Sequence, residues 1–394
     1  MVEPRLRELD ALRGFAVAVM ILVVSPGSWA HTYAPLQHAD WHGWTFADLV
    51  FPDFLFGVGM ALALTLGRSL DPLRDKAGFG RKLFRRVTGL IGLGLALNFL
   101  AVIAGWLGAG SVGPTDTVEW RLPGVLQRIA LCYLLAVTIV CMGMLWRPRQ
   151  PARGTTIAAV SGIGVLLIGY WAVLTYVAAP GYEPGDLTKA GNLPAWIDRA
   201  VFTPRHMWPL GAETWRGPVV YEPEGLLSTL PATANVLFGF LAATVWRQFP
   251  DQRDVLLLAI GLALLVSGLL LDAVFPINKK LWTSSFVLLT SGISCLALLC
   301  VARLLRTKAV EGAIYPVFVL GGNPLLAFAL SAALSALGSI PLWGGQTAQS
   351  VGFTLVSHWI ADPYLASLVC ALGIVALVTL AILPLHRRGM HLRV

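Results

Sequence analysis

The sequence predicts an all-α integral membrane protein: about ten transmembrane helices in a single bundle, with N-terminus and C-terminus both inside (N-in/C-in). Three observations predict it. Of 394 residues, 56% are hydrophobic and 13% charged, about half the ~25% charge of a soluble domain, so no complete water-facing shell can be built. Mean hydropathy is +0.72. Apolar runs recur that are long enough to cross the ~30 Å hydrocarbon layer. The 14 Trp fit the same reading, because indole rings favour membrane interfaces.

In chain order the runs fall near 12–29, 46–67, 84–105, 125–146, 155–178, 225–246, 254–274, 281–303, 313–338 and 362–385. The first reads as a span, not a signal peptide, because Glu8 and Asp10 interrupt its basic start. Segment 345–361 is apolar but broken by Gly, Ser and His358, and reads as re-entrant or interfacial. Orientation follows from Lys and Arg. Arg5, Arg7, Arg13, the run from Arg68 to Arg86, Arg147, Arg149, Arg153, Arg247, Arg253, Arg303, Arg306, Lys308, Arg387, Arg388 and Arg393 share one side. Lys279 and Lys280 break the bias, as a site handling anions would. The whole chain, 1–394, reads as one domain, with no repeat.

The net charge of +8 lies in short loops between apolar runs, which excludes a polyanion surface and makes nucleic acid an unexpected partner. Five cysteines, Cys132, Cys141, Cys295, Cys300 and Cys370, lie in apolar stretches without metal-ligand spacing, so no metal and no disulfide is expected.

The threading collects polar residues at the outer ends of spans: His38 and His42, then Asp48 and Asp53; Arg121, Gln127 and Arg128; Glu222 and Glu224; Asn278, Lys279 and Lys280. A charge in hydrocarbon costs at least about 2.5 kcal/mol, so such groups generally face a bundle interior and serve a purpose there. An outer-leaflet cavity lined by them would explain their presence. Plainer readings stand beside this. His38 could be a solvated loop residue, Asp48 a helix cap, Arg128 a snorkelling side chain, and Trp41, Trp44, Trp208, Trp215 and Trp282 an interfacial belt. Asn98 and Asn323 read as hydrogen-bond glue between helices.

Four runs then carry a resemblance: Arg7-Glu-Leu-Asp10-Ala-Leu-Arg13-Gly14; Pro26-Gly27-Ser28-Trp29; Leu36-Gln37-His38-Ala39-Asp40-Trp41 through Phe51-Pro52; and Pro123-Gly-Val-Leu-Gln127-Arg128. Asp198-Arg199 with His206, Tyr221-Glu222-Pro-Glu224-Gly225 and Asn278-Lys279-Lys280-Leu-Trp282 extend it over nearly the whole chain. It resembles the heparan-α-glucosaminide N-acetyltransferase family, in particular shorter bacterial members that lack a lumenal N-terminal domain. The resemblance implies a membrane acyltransferase of the bacterial inner (plasma) membrane. It would move an acetyl group from acetyl-CoA, its co-substrate, to the amine of glucosamine or a glucosaminide at the extracytoplasmic face. Family members carry an asparagine where this chain has Val24 and Ser25, so Ser25 is the candidate substitute in catalysis.

On this reading His38 is catalytic, as general base or as transient acyl carrier, and Asp48 orients it. Arg128, Glu224, Asp198, His206, Asn278, Lys279 and Lys280 bind donor or acceptor. The partners expected are the bilayer and a small amino sugar or glycan, with homodimerisation left open. The alternatives are acylation of another envelope sugar or glycan, and a proton-coupled amino-sugar transporter that uses the same His and carboxylates as a relay.

Overall fold

A computed structural model describes residues 6–66, 71–108, 120–214, 217–307 and 312–391. Arg5, Arg68, Trp215, Lys308 and Arg393 of the sequence reading lie outside these.

The first helix, α1 (Arg7–Val24), stops before Ser25-Pro26, since a residue ahead of proline is pushed out of the helical region. A short 3₁₀ turn, Phe46–Leu49, leads into α2 (Val50–Thr65). There follow α3 (Lys76–Gly108), α4 (Val125–Trp146), α5 (Pro151–Tyr176), the short α6 (Leu193–Phe202), α7 (Thr229–Gln248), α8 (Arg253–Leu271) and α9 (Ser284–Leu304). The expected span at 313–338 is instead two helices, α10 (Tyr315–Gly322) and α11 (Pro324–Gly338), set 91° apart. Pro324 lacks the N–H that would continue the ladder, and the Asn323 side chain donates through Nδ2 to the Met390 carbonyl at 3.1 Å. Segment 345–361 forms no helix long enough to cross by itself. Strands β1 (Pro341–Trp343) and β2 (Gln346–Thr347) form a hairpin, followed by α12 (Ala348–Trp359), which buries no residue. The last helix is α13 (Pro363–Arg387).

Among the described residues, eight helices are long and apolar enough to cross a membrane, and the bent pair α10–α11 makes up to nine. Helix α1 is the remaining expected span. Arg7, Glu8, Asp10 and Arg13 crowd its first two turns, so only its later part is uninterruptedly apolar. The fold is thus an all-α membrane bundle, as expected.

Burial separates the helices by role. In α7 and α9, 72% of the apolar stretch is enclosed, and in Phe46–Thr65 67%; in α3, α8 and α13 only 17% is. The first group is the core and the second faces lipid. Helices α2 and α7 touch backbone to backbone: a Cβ on Gly59 would lie 1.8 Å from the Val236 carbonyl oxygen, and one on Gly239 1.9 Å from that of Phe56. Close approach at small residues is how helices pack where lipid supplies no hydrophobic drive. Asn235 of α7 donates to Ser291 Oγ of α9 at 2.9 Å and accepts from Trp282 Nε1 at 2.8 Å. Trp282 is therefore a buried pin at 1% exposure, not a belt residue. Cys132, Cys141 and Cys295 are buried as expected, whereas Cys300 is exposed.

Candidate functional site

The loop 37–45 is folded around one carboxylate. Asp48 Oδ2 accepts from the backbone N–H of Thr45 at 2.9 Å and of Ala39 at 3.1 Å, and from Thr45 Oγ1 at 3.2 Å. That is a capping box, and the Thr-x-x-Asp spacing announces it. The other oxygen, Oδ1, lies 2.7 Å from His38 Nδ1 and 3.2 Å from Lys279 Nζ. Asp48 is thus cap and site group at once, and at 0% exposure it cannot rotate away.

With Nδ1 donating its proton to Asp48, the lone pair of His38 is on Nε2; Lys279 Nζ lies beside the ring, 2.9 Å from Nδ1 and 3.3 Å from Nε2. Lys279 is held there by a rigid turn. Asn278 Oδ1 accepts from the Leu281 N–H at 2.8 Å, Thr283 Oγ1 accepts from the Asn278 N–H at 3.0 Å, and Tyr170 Oη donates to the Leu281 carbonyl at 2.5 Å. Gly43 joins the two loops by donating to the Ile277 carbonyl at 2.7 Å. Its φ of +91° is one that glycine adopts without strain.

Burial lowers the His38 pKa below its ordinary 6.5, against the pull of Asp48 and with help from Lys279 and Lys280. The ring is therefore neutral near pH 7. Burial also lowers Lys279, against Asp48 and Glu224, and brings Lys280 down to about 8.

These groups stand at the mouth of a cavity of about 140 Å³ that runs into the bundle. His38, Lys279 and Glu224 are its polar lining; the remainder is apolar and comes from α1, the 3₁₀ turn before α2, α2, α4 and α11. Val24 is part of that wall. Ser25 is not: its Oγ is 2.8 Å from Ser335 Oγ of α11, so the expectation that it joins the catalytic group fails because the helix presents the neighbouring valine instead.

The other expected residues separate into two groups. Lys280 donates to the Asp40 carbonyl at 2.5 Å, while Lys189, which sequence reasoning missed, holds the Asp40 carboxylate at 3.0 Å. Nothing in a lone Lys189 on a 46-residue loop (179–224) marked it. Arg128, 1% exposed, does not snorkel. It lies 4.9 Å over the Trp282 ring and donates to Ser228 Oγ at 2.5 Å and the Gly225 carbonyl at 3.2 Å. Asp198 accepts from the Leu226 N–H at 2.9 Å, and burial pushes its carboxyl up to about 7. Arg128 and Asp198 thus brace the segment that carries Glu224, from outside the cavity. Asn278 is engaged within its own turn, and its amide nitrogen is 3.4 Å from His42 Nδ1. His206 is farther off, its Nδ1 2.9 Å from the Trp120 carbonyl oxygen. It organises the entry to α4.

Arg121 binds both Glu222 and Glu224, reaching Glu222 Oε2 at 3.1 Å and Glu224 Oε2 at 2.5 Å, while Glu222 also accepts from the Trp208 N–H at 2.7 Å. Burial raises the pKa of Glu222 in spite of Arg121. Burial opposes ionisation of Glu224 too, but Arg121, Arg128 and Lys279 outweigh it and hold that carboxyl low. Among the described residues, no three His, Cys, Asp or Glu side chains converge as a metal would need.

Fold and site together define a polytopic membrane protein with a histidine–carboxylate–lysine group at one end of its bundle. Direct comparison bears out the resemblance read from the motifs: residues 5–175 match the family model of heparan-alpha-glucosaminide N-acetyltransferase, catalytic. The chain is 26% identical over 361 residues to the heparan-alpha-glucosaminide N-acetyltransferase of Homo sapiens and 27% identical over 364 residues to that of Mus musculus. Each alignment covers 82% of this chain, and the chain spans about half the length of the curated relatives it matches, 52% and 53%.

Proposed function

We propose that the chain is a membrane acyltransferase that moves an acetyl group from acetyl-CoA to the amine of glucosamine or a glucosaminide. The site would lie at the extracytoplasmic face of a bacterial inner membrane, with the whole chain acting as one unit and both termini in the cytoplasm. The observation that carries the reading is His38, tied through Nδ1 to buried Asp48 and beside Lys279, at the mouth of a cavity. The similarity to N-acetyltransferases supports the choice of reaction.

Amide formation from a thioester needs a base for the amine proton and a cation for the carbonyl oxygen. His38 Nε2, on a ring whose pKa is held below its ordinary value, accepts the proton as the amine nitrogen attacks. Lys279 faces the charge that develops on oxygen. Collapse breaks the C–S bond, and the departing thiolate takes the proton from His38. The same nitrogen can instead receive the acyl group first and pass it on. Asp48 fixes the tautomer in either route.

The charged groups gather at one end of the bundle, whereas a proton relay for transport would have to continue to the midplane. Purified protein incubated with labelled acetyl-CoA and glucosamine is expected to yield labelled amide, and His38→Ala to lower the rate at least about 10³-fold with the helical fold intact. Undiminished turnover in His38→Ala overturns the assignment. Sugar accumulation in vesicles without modification would favour the transporter.

A further inference from the structure

The loop that carries His38 straddles two environments. The Asp40 side chain is 87% exposed and meets Lys189 Nζ at 3.0 Å, a charged pair that belongs in water. A few residues on, Trp44 and Phe46 turn large apolar surfaces outward, at 40% and 50% exposure. The pattern recurs in other segments that meet at the cavity mouth. Leu122 is exposed shortly before the lining residue Val125, and Leu226 is exposed just after the lining residue Glu224. Exposed apolar side chains scattered singly need no explanation, so depth in the membrane decides what these mean.

Three observations set that depth. The apolar span that includes α2 begins at Phe46, so Asp48, and the histidine it holds, stand within one turn of that span's end. Next, the Asn98 side chain of α3 donates to the Arg121 and Pro123 carbonyls at 2.8 and 2.9 Å, which sets Asn98 level with the approach to α4. From there α3 continues to Leu107, about 13 Å further at 1.5 Å per residue, and exposes Phe99, Ile103, Trp106 and Leu107 on the way. An apolar wall of that height is at home only against hydrocarbon. Finally, α12 packs on the end of α1, with Gln349 Nε2 donating to the Pro26 carbonyl at 2.5 Å and Phe353 stacked on the His31 ring. It buries no residue, carries no Asp, Glu, Lys or Arg, and leaves Trp359 85% exposed, as a helix lying in the interface does. The mouth thus opens at head-group depth, with water on its Asp40 side and lipid on its Trp44 side.

A free hexosamine entering from the lipid side would exchange hydrogen bonds to water for apolar neighbours. A sugar with a hydrocarbon tail is instead held at this depth by the tail, its hydroxyls and amine facing Asp40 and His38. We propose that the acceptor is borne by the membrane: an amino sugar forming the head group of a lipid, its amine at His38 and its tail along Trp44, Phe46 and Leu122. The proposal rests on the acyltransferase reading and names the class of its acceptor. The chemistry is unchanged: a C–N bond forms at the sugar amine, the C–S bond of acetyl-CoA breaks, and the proton leaves with the thiolate.

The test compares 2-amino-2-deoxyglucosides with methyl, butyl, octyl and dodecyl aglycones as acceptors of labelled acetyl from acetyl-CoA. The intact chain is held in phospholipid nanodiscs, which leave both faces open. Burying one CH₂ is worth about four-fold, so dodecyl is expected to exceed methyl at least about 100-fold in kcat/KM. Empty phospholipid vesicles added at fixed acceptor concentration should dilute the dodecyl compound over more surface and lower its rate, without lowering that of methyl. Trp44→Ser combined with Phe46→Ser is expected to reduce the dodecyl-to-methyl ratio at least about five-fold. Equal kcat/KM for methyl and dodecyl overturns the proposal alone. So does a dodecyl rate indifferent to added lipid, or a ratio unchanged in the folded double variant. Transfer to no acceptor overturns both the proposal and the activity on which it rests.

Discussion

Two clusters in this molecule pair carboxylates with cations, and they are built to opposite ends. Around Arg121, Glu222 is closed off, and Glu224 alone also reaches the cavity. Glu222 and Glu224 share one guanidinium, the Trp208 and Glu224 N–H groups take the remaining lone pairs of Glu222, and Glu222 is 3% exposed. Around Asp48, the carboxylate is as deeply buried, but its partners are not closed off. The His38 side chain is 43% exposed and lines a cavity, with Nε2 near Lys279. A satisfied ion cluster fixes loops; one whose histidine and lysine line a cavity can do chemistry. The residue types barely differ. What differs is how far the cluster opens: the His38 side chain is 43% exposed at the cavity, whereas that of Glu222 is fully enclosed.

The contrast predicts that the Asp48 cluster is felt in rate and the Arg121 cluster in stability. Asp48→Asn keeps an oxygen for the Thr45 and Ala39 N–H groups but cannot hold the imidazole tautomer, so kcat/KM should fall about 10²–10⁴-fold in a protein that still folds. A loss of fold with Asp48→Asn would erase the distinction. Arg121→Ala strands buried Glu222 and part-buried Glu224 and should cost about 3–5 kcal/mol of stability, measured by thermal unfolding in detergent. Near-normal stability with lost acceptor binding would move Arg121 into the site.

Asp198→Asn tests the brace behind both clusters. Burial raises the Asp198 carboxyl from 3.8 to about 7, so the folded state holds a proton that the unfolded chain has released. That stabilisation is complete below pH 3.8 and fades as pH rises through about 7. Between pH 5 and 8 the native protein should therefore lose on the order of 1–3 kcal/mol that Asp198→Asn does not lose. Parallel unfolding profiles would place the proton elsewhere. The smallest effect is expected of Ser25→Ala, which removes one hydroxyl pair with Ser335: under about 1 kcal/mol and less than a two-fold change in rate. A large rate loss would bring Ser25 into the catalytic group after all.

Much of this was legible without coordinates. Apolar run length marked nine of the ten expected spans as single helices or as the bent pair, because crossing hydrocarbon demands both length and satisfied backbone. The meeting of His38, Asp48 and Lys279 was legible as a tendency: alternate loops of a threaded chain must share one face, and Lys279 broke the charge bias there. The break at Asn323 had its signal in Pro324, which the apolarity of both flanks overrode. Arg128 misled, since a cation near a helix end reads as snorkelling until its stacking on buried Trp282 is seen.

Composition and periodicity by themselves determined that this chain carries helices apolar and long enough to enter a membrane, because that follows from transfer free energies that each segment carries alone. Tertiary structure alone decided which of two adjacent residues, Val24 or Ser25, meets the cavity, which cation stands beside the histidine, and how large the apolar space behind it is. In spans where every position is apolar, lipid-facing and cavity-facing residues read alike. Only the packing of one helix against another tells them apart.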